Sequence, residues 1–186
     1  MKICKHQVIY ALLVGLFWQA PGLAKEVKGS RPWEKNIPES KNDLLSIQNK
    51  LQSTLKKAKG AVVAIQSGGG TGSGVIVSKD GLVLTAGHIS GRAGQSVKVV
   101  LPDGRKVDAV TMGGSEISDS GMCRIKEKGD WPFAPMAEKG KSKVGDWCFA
   151  LGHPGGFSEK RGMVTRIGRV IHKQNATLRT DCRLLG

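Results

Sequence analysis

Acidic and aromatic residues are both scarce in this chain of 186 residues. It has 15 Asp and Glu against 29 Lys and Arg, a net charge of +14, and only 5% aromatic residues. Such an excess of basic charge favours anionic partners but specifies neither a fold nor a ligand. The basic residues are scattered without interleaved aromatics, so we predict no dedicated nucleic-acid site and at most weak nonspecific polyanion binding.

Long apolar runs are also absent. The run from residue 8 to residue 18 is well short of the roughly 20 residues that cross a bilayer. Two lysines precede it and Gly22-Leu-Ala follows it, which is the pattern of a cleaved secretory signal. We therefore predict a signal peptide at residues 1–24, no transmembrane anchor, and an exported protein that is periplasmic or secreted.

Few cysteines remain after that cleavage, namely Cys123, Cys148 and Cys182. Cleavage also removes two of the 29 basic residues and none of the 15 acidic ones, so the net charge falls from +14 to +12. An odd number of cysteines leaves at least one thiol unpaired unless chains are linked. No disulfide scaffold or metal site is predicted, and we expect these cysteines to be small buried apolar residues.

The residue pattern of the chain changes twice along its length. Residues 25–42 are polar and contain two prolines, which predicts a flexible lead-in. Leucine and isoleucine then recur at helical intervals, so residues 43–59 are predicted to form an amphipathic helix capped by Asn42 or Asp43.

From residue 60 onward, short β-rich segments alternate with Gly, Pro and Asp. This pattern is typical of an antiparallel barrel or sandwich. Pro102-Asp-Gly is a strong hairpin turn, because Pro presets one backbone angle and Gly accepts a positive one. Strands are predicted at residues 61–65, 74–77, 82–85, 97–101, 105–110, 122–125, 147–151, 162–164, 168–171 and 176–181.

One histidine stands at the end of two apolar strands joined by Lys79-Asp-Gly. His88 is therefore a candidate general base, since a neutral imidazole accepts a proton near pH 7 when a scaffold fixes its position and tautomer. It needs a carboxylate partner, and Asp119, just before an apolar strand, is the best candidate.

These motifs resemble the trypsin-like serine endopeptidases, in particular their bacterial HtrA/Deg branch. The resemblance covers residues 60–186 and rests on Gly72-Ser-Gly-Val-Ile-Val, Thr85-Ala-Gly-His, Asp119-Ser-Gly-Met, Ala150-Leu-Gly-His-Pro-Gly-Gly and Thr180-Asp. It implies an all-β fold of two antiparallel barrels: a first barrel at residues 60–126, carrying His88 and Asp119, and an incomplete second barrel at residues 127–186.

The resemblance also implies a function, namely cleavage of polypeptides by acyl transfer without a cofactor. His88 would be the general base and Asp119 would orient it. The family's Gly-x-Ser-Gly-Gly segment, which supplies the nucleophile, does not occur in residues 1–186. We therefore expect the chain to be truncated before its serine and inactive by itself.

Other candidate residues have weaker contexts. Ser73 lies upstream of the histidine strand and is expected to be structural, and Cys182 lacks the glycines of a nucleophile loop. His153, beside a proline, is expected to be solvated rather than catalytic, and His172 has no acid near it in the sequence. Asp181 is predicted to be a structural acid that could line a substrate pocket.

Two alternatives stay open at this point. The absent serine and the basic charge are compatible with a nonenzymatic protein that binds peptides or polyanions on a remnant protease scaffold. A broken gene without function is the other. The sequence predicts neither substrate specificity nor oligomeric state.

Overall fold

The computed structural model describes residues 31–68, 70–138, 140–174 and 177–183, together with the backbone of Leu12–Leu13. The predicted signal peptide therefore lies outside the described residues, apart from this dipeptide, which forms the two-residue strand β1. Among the described residues, no helix combines the length and the apolar character needed to cross a membrane.

Helix α1 spans Lys41–Lys59. Its cap is Ser40 and not Asn42 or Asp43 as predicted, because the Ser40 hydroxyl accepts a hydrogen bond from the Asp43 N–H at 3.1 Å. The Asp43 carboxylate reaches back to accept from the Glu39 N–H at 3.0 Å, and it pairs with Lys35. The Ser40 bond satisfies one of the N–H groups that a helix start leaves without a partner, and the Asp43 bond ties the residue before the cap to the helix.

The segment before this helix also has defined structure. Residues Pro32–Glu34 form a short 3₁₀ helix, and Lys35 forms ion pairs with Glu39 and Asp43. Part of the segment predicted as a flexible lead-in, residues 25–42, thus forms local contacts in the structure. The polar residues of this segment form local ion pairs and a helix cap.

Six antiparallel strands form a closed barrel in the order β2-β3-β4-β7-β6-β5. Along β5 and β6 buried and exposed residues alternate, as expected of strands with one face on a core. Each fully buried aliphatic side chain of that core contributes about 1.5–3 kcal/mol. The strands are β2 Val62–Ser67, β3 Gly70–Ile76, β4 Leu82–Ala86, β5 Ser96–Val100, β6 Lys106–Ser115 and β7 Ser120–Ile125.

The predicted turn between β5 and β6 is present. The Gly104 N–H donates to the Leu101 carbonyl at 2.9 Å, and Gly104 has φ of 85°, which a residue with a side chain rarely adopts. Pro102-Asp-Gly thus makes the predicted hairpin, and it fixes the register in which Val100 lies opposite Lys106.

A second sheet of four strands has the order β1-β8-β9-β10. Strand β8 spans Trp147–Gly152, β9 spans Val164–Gln174 and β10 spans Thr177–Thr180. Strand β9 is continuous, so the prediction of two separate strands at residues 162–164 and 168–171 is wrong. The fold is therefore mostly β, with a complete barrel, a partial second sheet and one long helix.

Helix α1 packs where the barrel and the second sheet meet. Leu51 and Leu55 contact a buried cluster formed by Val62 of the barrel and by Phe149 and Leu151 of β8. This shared apolar cluster joins the two sheets, and it explains why the helix is amphipathic.

Candidate active site

His88 lies in a single helical turn, α2, which spans Gly87–Ser90 directly after strand β4. Strand β4 is paired on both sides, by β3 and by β7, so the start of α2 is fixed to the barrel wall. The His88 side chain is 53% exposed. An imidazole held at the end of a rigid strand and open to solvent can meet a substrate.

Asp119 ends the turn between β6 and β7 and has φ of 45°. A positive φ is uncommon outside glycine, and Asp is among the residues that tolerate it best. The Asp119 carboxylate accepts from the His88 backbone N–H at 2.9 Å and lies 2.9 Å from His88 Nδ1 through each oxygen. The structure thus brings the two predicted residues together, although 31 residues separate them in sequence.

These contacts set the charge and the tautomer of the pair. Burial alone would raise the pKa of Asp119, but hydrogen bonds from the backbone and the imidazole of His88 lower that pKa by more. The carboxylate is therefore ionised at neutral pH and binds the proton on Nδ1. That arrangement leaves Nε2 as the ring nitrogen that can accept a proton.

Small residues hold α2 tightly against β6 and β7. A Cβ on Gly87 would lie 2.8 Å from the Ser115 carbonyl oxygen, and a Cβ on Gly121 would collide with the Cβ of Ser90. Ser90 is 2% exposed, and its hydroxyl donates to the carbonyl oxygens of Met122 at 2.9 Å and Gly113 at 3.0 Å. The helical turn cannot shift without breaking these contacts.

Sequence reasoning missed this packing role of Ser90 and Gly121. The available signal was the run of small residues on both sides of His88 and after Asp119. That signal is weak, because a buried serine and a solvated one look alike in a sequence until the backbone carbonyls around it are placed.

The other candidates lie elsewhere. The Ser73 hydroxyl accepts from the His153 backbone N–H at 2.8 Å, which agrees with a structural role. Cys182 is buried, as are Cys123 and Cys148, so the expectation for all three cysteines is confirmed. His172 is exposed on β9.

His153 is buried, with 3% of its surface exposed, so the prediction that it is solvated is wrong. The following turn closes with a 2.9 Å hydrogen bond from the Gly156 N–H to the His153 carbonyl, and the imidazole packs at 5.6 Å from the Phe157 ring. Burial and the nearby positive charge of Arg161 lower the pKa of His153. The ring is therefore neutral at pH 7.

Asp181 is a structural acid, as predicted. Its carboxylate accepts from the Arg169 backbone N–H at 2.5 Å, and its own N–H donates to the Arg169 carbonyl at 3.1 Å. No group of three or more His, Cys, Asp or Glu side chains within the described part of the chain is arranged to hold a metal ion.

The sequence of this chain is similar to those of known proteins. Residues 72–186 match a family model described as a trypsin-like peptidase domain. The chain is 35% identical over 103 residues to the putative serine protease HhoA of Synechocystis, an alignment that covers 54% of this chain and 26% of that protein.

Two further relatives carry similar names. The chain is 37% identical over 107 residues to a probable periplasmic serine endoprotease, DegP-like, of Hahella chejuensis, covering 56% of this chain and 22% of the relative. It is 38% identical over 101 residues to the periplasmic serine endoprotease DegP of Escherichia coli K12, covering 53% and 21%. The matched segment thus spans about a quarter or less of these relatives' length.

Proposed function

Because this chain belongs to the family of trypsin-like peptidase domains, we propose that it is the part of an HtrA-like serine endopeptidase that supplies the general base, His88, and its orienting acid, Asp119. The observation that carries the proposal is the double contact of one carboxylate with the backbone and with Nδ1 of the same histidine. This contact fixes both the position and the tautomer of the ring.

The chemistry follows from that geometry. His88 Nε2 takes the proton of a serine hydroxyl as its oxygen attacks the carbonyl carbon of a peptide bond. Asp119 stabilises the imidazolium that forms. His88 then gives the proton to the leaving amine, and water releases the acyl group by the same steps.

The serine and the oxyanion donors belong to the family's Gly-x-Ser-Gly-Gly segment, which residues 1–186 do not contain. The proposal therefore places both outside these residues. We expect residues 1–186 by themselves to hydrolyse no peptide bonds, because loss of the nucleophile alone removes about 10⁶-fold of the rate.

The substrate class and the location are proposals of the same kind. Two of the relatives named above, those of Hahella chejuensis and Escherichia coli, are called periplasmic serine endoproteases, and this supports export and polypeptide substrates for the present chain. The predicted signal peptide at residues 1–24 supports export independently. We also propose that residues 60–126 and 127–186 correspond to the two barrels of the family.

Two measurements on the protein from its native source test the proposal. The first is its intact mass, which should exceed that of residues 25–186, namely 19.8 kDa less the signal segment, if a nucleophile segment is present. The second is hydrolysis of an unfolded polypeptide by the wild type and by His88→Ala and His172→Ala.

We expect His88→Ala to abolish hydrolysis and His172→Ala, at an exposed histidine on β9, to leave it unchanged. A protein that hydrolyses the substrate equally well with either substitution would refute the assignment of His88. A mature protein no larger than residues 25–186 would refute the endopeptidase itself.

One observation favours binding of polyanions as a second function. Strands β9 and β10 carry Arg166, Arg169, Lys173 and Arg179 and no acidic residue, and of these four Lys173 and Arg179 are exposed. Affinity for heparin, measured at 50 and 200 mM salt, should fall steeply if these residues contact a polyanion. An affinity that does not change with salt would eliminate this function.

A further inference from the structure

Two of the buried cysteines lie side by side. Cys148 is on β8 and Cys182 follows β10, and their sulfur atoms are 3.8 Å apart although 34 residues separate them in sequence. Their exposed fractions are 0% and 6%, and both belong to one apolar cluster with Ala150 and Val170. The two thiols therefore face each other inside the second sheet.

The absence of a side chain at Gly168 permits this contact. Gly168 lies directly opposite Cys148 in the β8–β9 pairing. A Cβ on Gly168 would lie 2.8 Å from the Cys182 nitrogen and 3.0 Å from its sulfur. Cys182 packs against β9 here because the glycine leaves that space open. The hydrogen bonds between Asp181 and Arg169 hold this segment in place.

The distance between the sulfurs is compatible with bond formation. A disulfide bond is about 2.05 Å long, so the two atoms must approach by roughly 1.8 Å, a movement within reach of side-chain rotation. Cys123 offers a useful contrast, because it is buried in the core of the first barrel, away from this pair.

We propose that Cys148 and Cys182 form a disulfide bond that anchors the segment after β10 to strand β8. The bond needs an oxidant, for which a small-molecule or protein disulfide suffices. Export, which is part of the proposed function, determines only where the protein would meet such an oxidant. The bond is independent of catalysis.

The exchange reaction balances with oxidised glutathione. The Cys182 thiolate attacks one glutathione sulfur and releases one reduced glutathione. The Cys148 thiolate then attacks the Cys182 sulfur and releases the second, and the two cysteine protons end on the two glutathione thiols. Cys182 reacts first because it is the less buried of the two. Burial and the neighbouring Cys182 raise the pKa of Cys148.

In the oxidised protein, the disulfide would fix the position of Asp181 and of the residues that follow it. In the reduced protein, the two hydrogen bonds with Arg169 would hold this segment instead. The redox state of the compartment would thereby control how firmly this segment is held against the second sheet.

Refolding of the full protein in oxidised and in reduced glutathione, followed by denaturation, alkylation and tryptic digestion, tests the proposal. We expect the oxidised sample to contain a cross-linked pair of peptides, residues 144–160 with residues 180–183, while Cys123 is alkylated. The oxidised protein should also melt about 10 °C above the reduced one, because the bond closes a loop of 34 residues.

Two variants separate this bond from general effects of removing a cysteine. Cys182→Ala should abolish both the cross-linked peptide and the redox dependence of the melting temperature, whereas Cys123→Ala should retain both. If Cys182→Ala does not fold, the peptide map of the wild type still decides. Full alkylation of Cys148 and Cys182 after oxidation, or a cross-link to a different cysteine, would overturn the proposal whether or not the protein is a peptidase.

Discussion

At the scale of single residues, Asp119 serves His88 in two ways, by binding its backbone and by binding its ring. In the full-length protein we expect Asp119→Asn to lower kcat/KM for a polypeptide about 10⁴-fold, because a neutral amide no longer stabilises the imidazolium. Steady-state kinetics would measure this. Asp108→Asn, at an exposed carboxylate of the same barrel, is the control and should have little effect.

A loss of activity that is the same for both aspartate variants would mean that charge in general, and not the contact with Nδ1, matters. Unchanged kinetics for Asp119→Asn would contradict the assigned role. The melting temperature of each variant should be recorded, so that a folding defect is not mistaken for a catalytic one.

His153 predicts how stability depends on pH. Its folded-state pKa lies below the ordinary value of 6.5, so between these two values the unfolded chain binds a proton that the folded chain does not. The contribution of His153 to the free energy of unfolding is fully present above pH 6.5 and is lost as the pH falls through the folded-state pKa. The slope is at most about 1.4 kcal/mol per pH unit.

We expect His153→Phe, which keeps a ring beside Phe157, to flatten the pH dependence of unfolding between pH 7 and pH 5. Urea denaturation at several pH values measures it. His172→Gln removes an exposed histidine and should leave the slope unchanged. A slope that is the same in wild type and His153→Phe would show that other groups cause it.

The sequence predicted the contact between His88 and Asp119 because their motifs lie at the ends of strands, where side chains are fixed. The prediction of a solvated His153 was wrong, because a proline and two glycines beside a histidine are typical of an exposed loop. Only the fold shows that this turn directs the ring inward against Phe157. Burial of a loop residue depends on distant parts of the chain and leaves no local pattern.

At the scale of elements, the contact between α2 and β7 positions the histidine. Gly121→Ala would place a methyl group against Ser90, and we expect a loss of about 1–3 kcal/mol of stability from overpacking. The rate of hydrolysis should fall further than this loss explains, because α2 carries His88.

Denaturation and kinetics on the same variant separate the two effects. Gly68→Ala is the matched control, since a Cβ there meets no atom within 4 Å. Should Gly121→Ala keep full activity, the tight packing of α2 would not be needed to position His88.

Strands were predictable where buried and exposed residues alternate, as in β5 and β6. Strand β9 was divided in the prediction, which left residues 165–167 out of both strands. In the fold these residues pair with β8, and Gly168 leaves room for Cys182. The turn α2 was missed because four residues are too few to show a helical period.

At the scale of the whole molecule, the connection between the two sheets should be the most accessible part. The backbone N–H groups of Trp131 and Ala134 donate hydrogen bonds to the carbonyls of Lys79 and Ile76 in the first barrel. Lys141 and Lys143, later in the connection, are exposed. Limited digestion with trypsin should therefore cut first at Lys141 or Lys143.

Mass spectrometry of early fragments would identify the sites. The internal comparison is Arg92, which is exposed but lies within the proposed first barrel at residues 60–126. Cleavage at Arg92 as fast as at Lys141 would contradict the view that the barrel is the more stable part.

The closed barrel has a consequence for the order of events during synthesis. All six of its strands lie between Val62 and Ile125, and β5 pairs with β2 to close it without help from later residues. A chain made from its amino terminus can thus assemble the His88–Asp119 pair while the second sheet is still emerging. Under the proposed function, the base would then be in place before the nucleophile segment is synthesised.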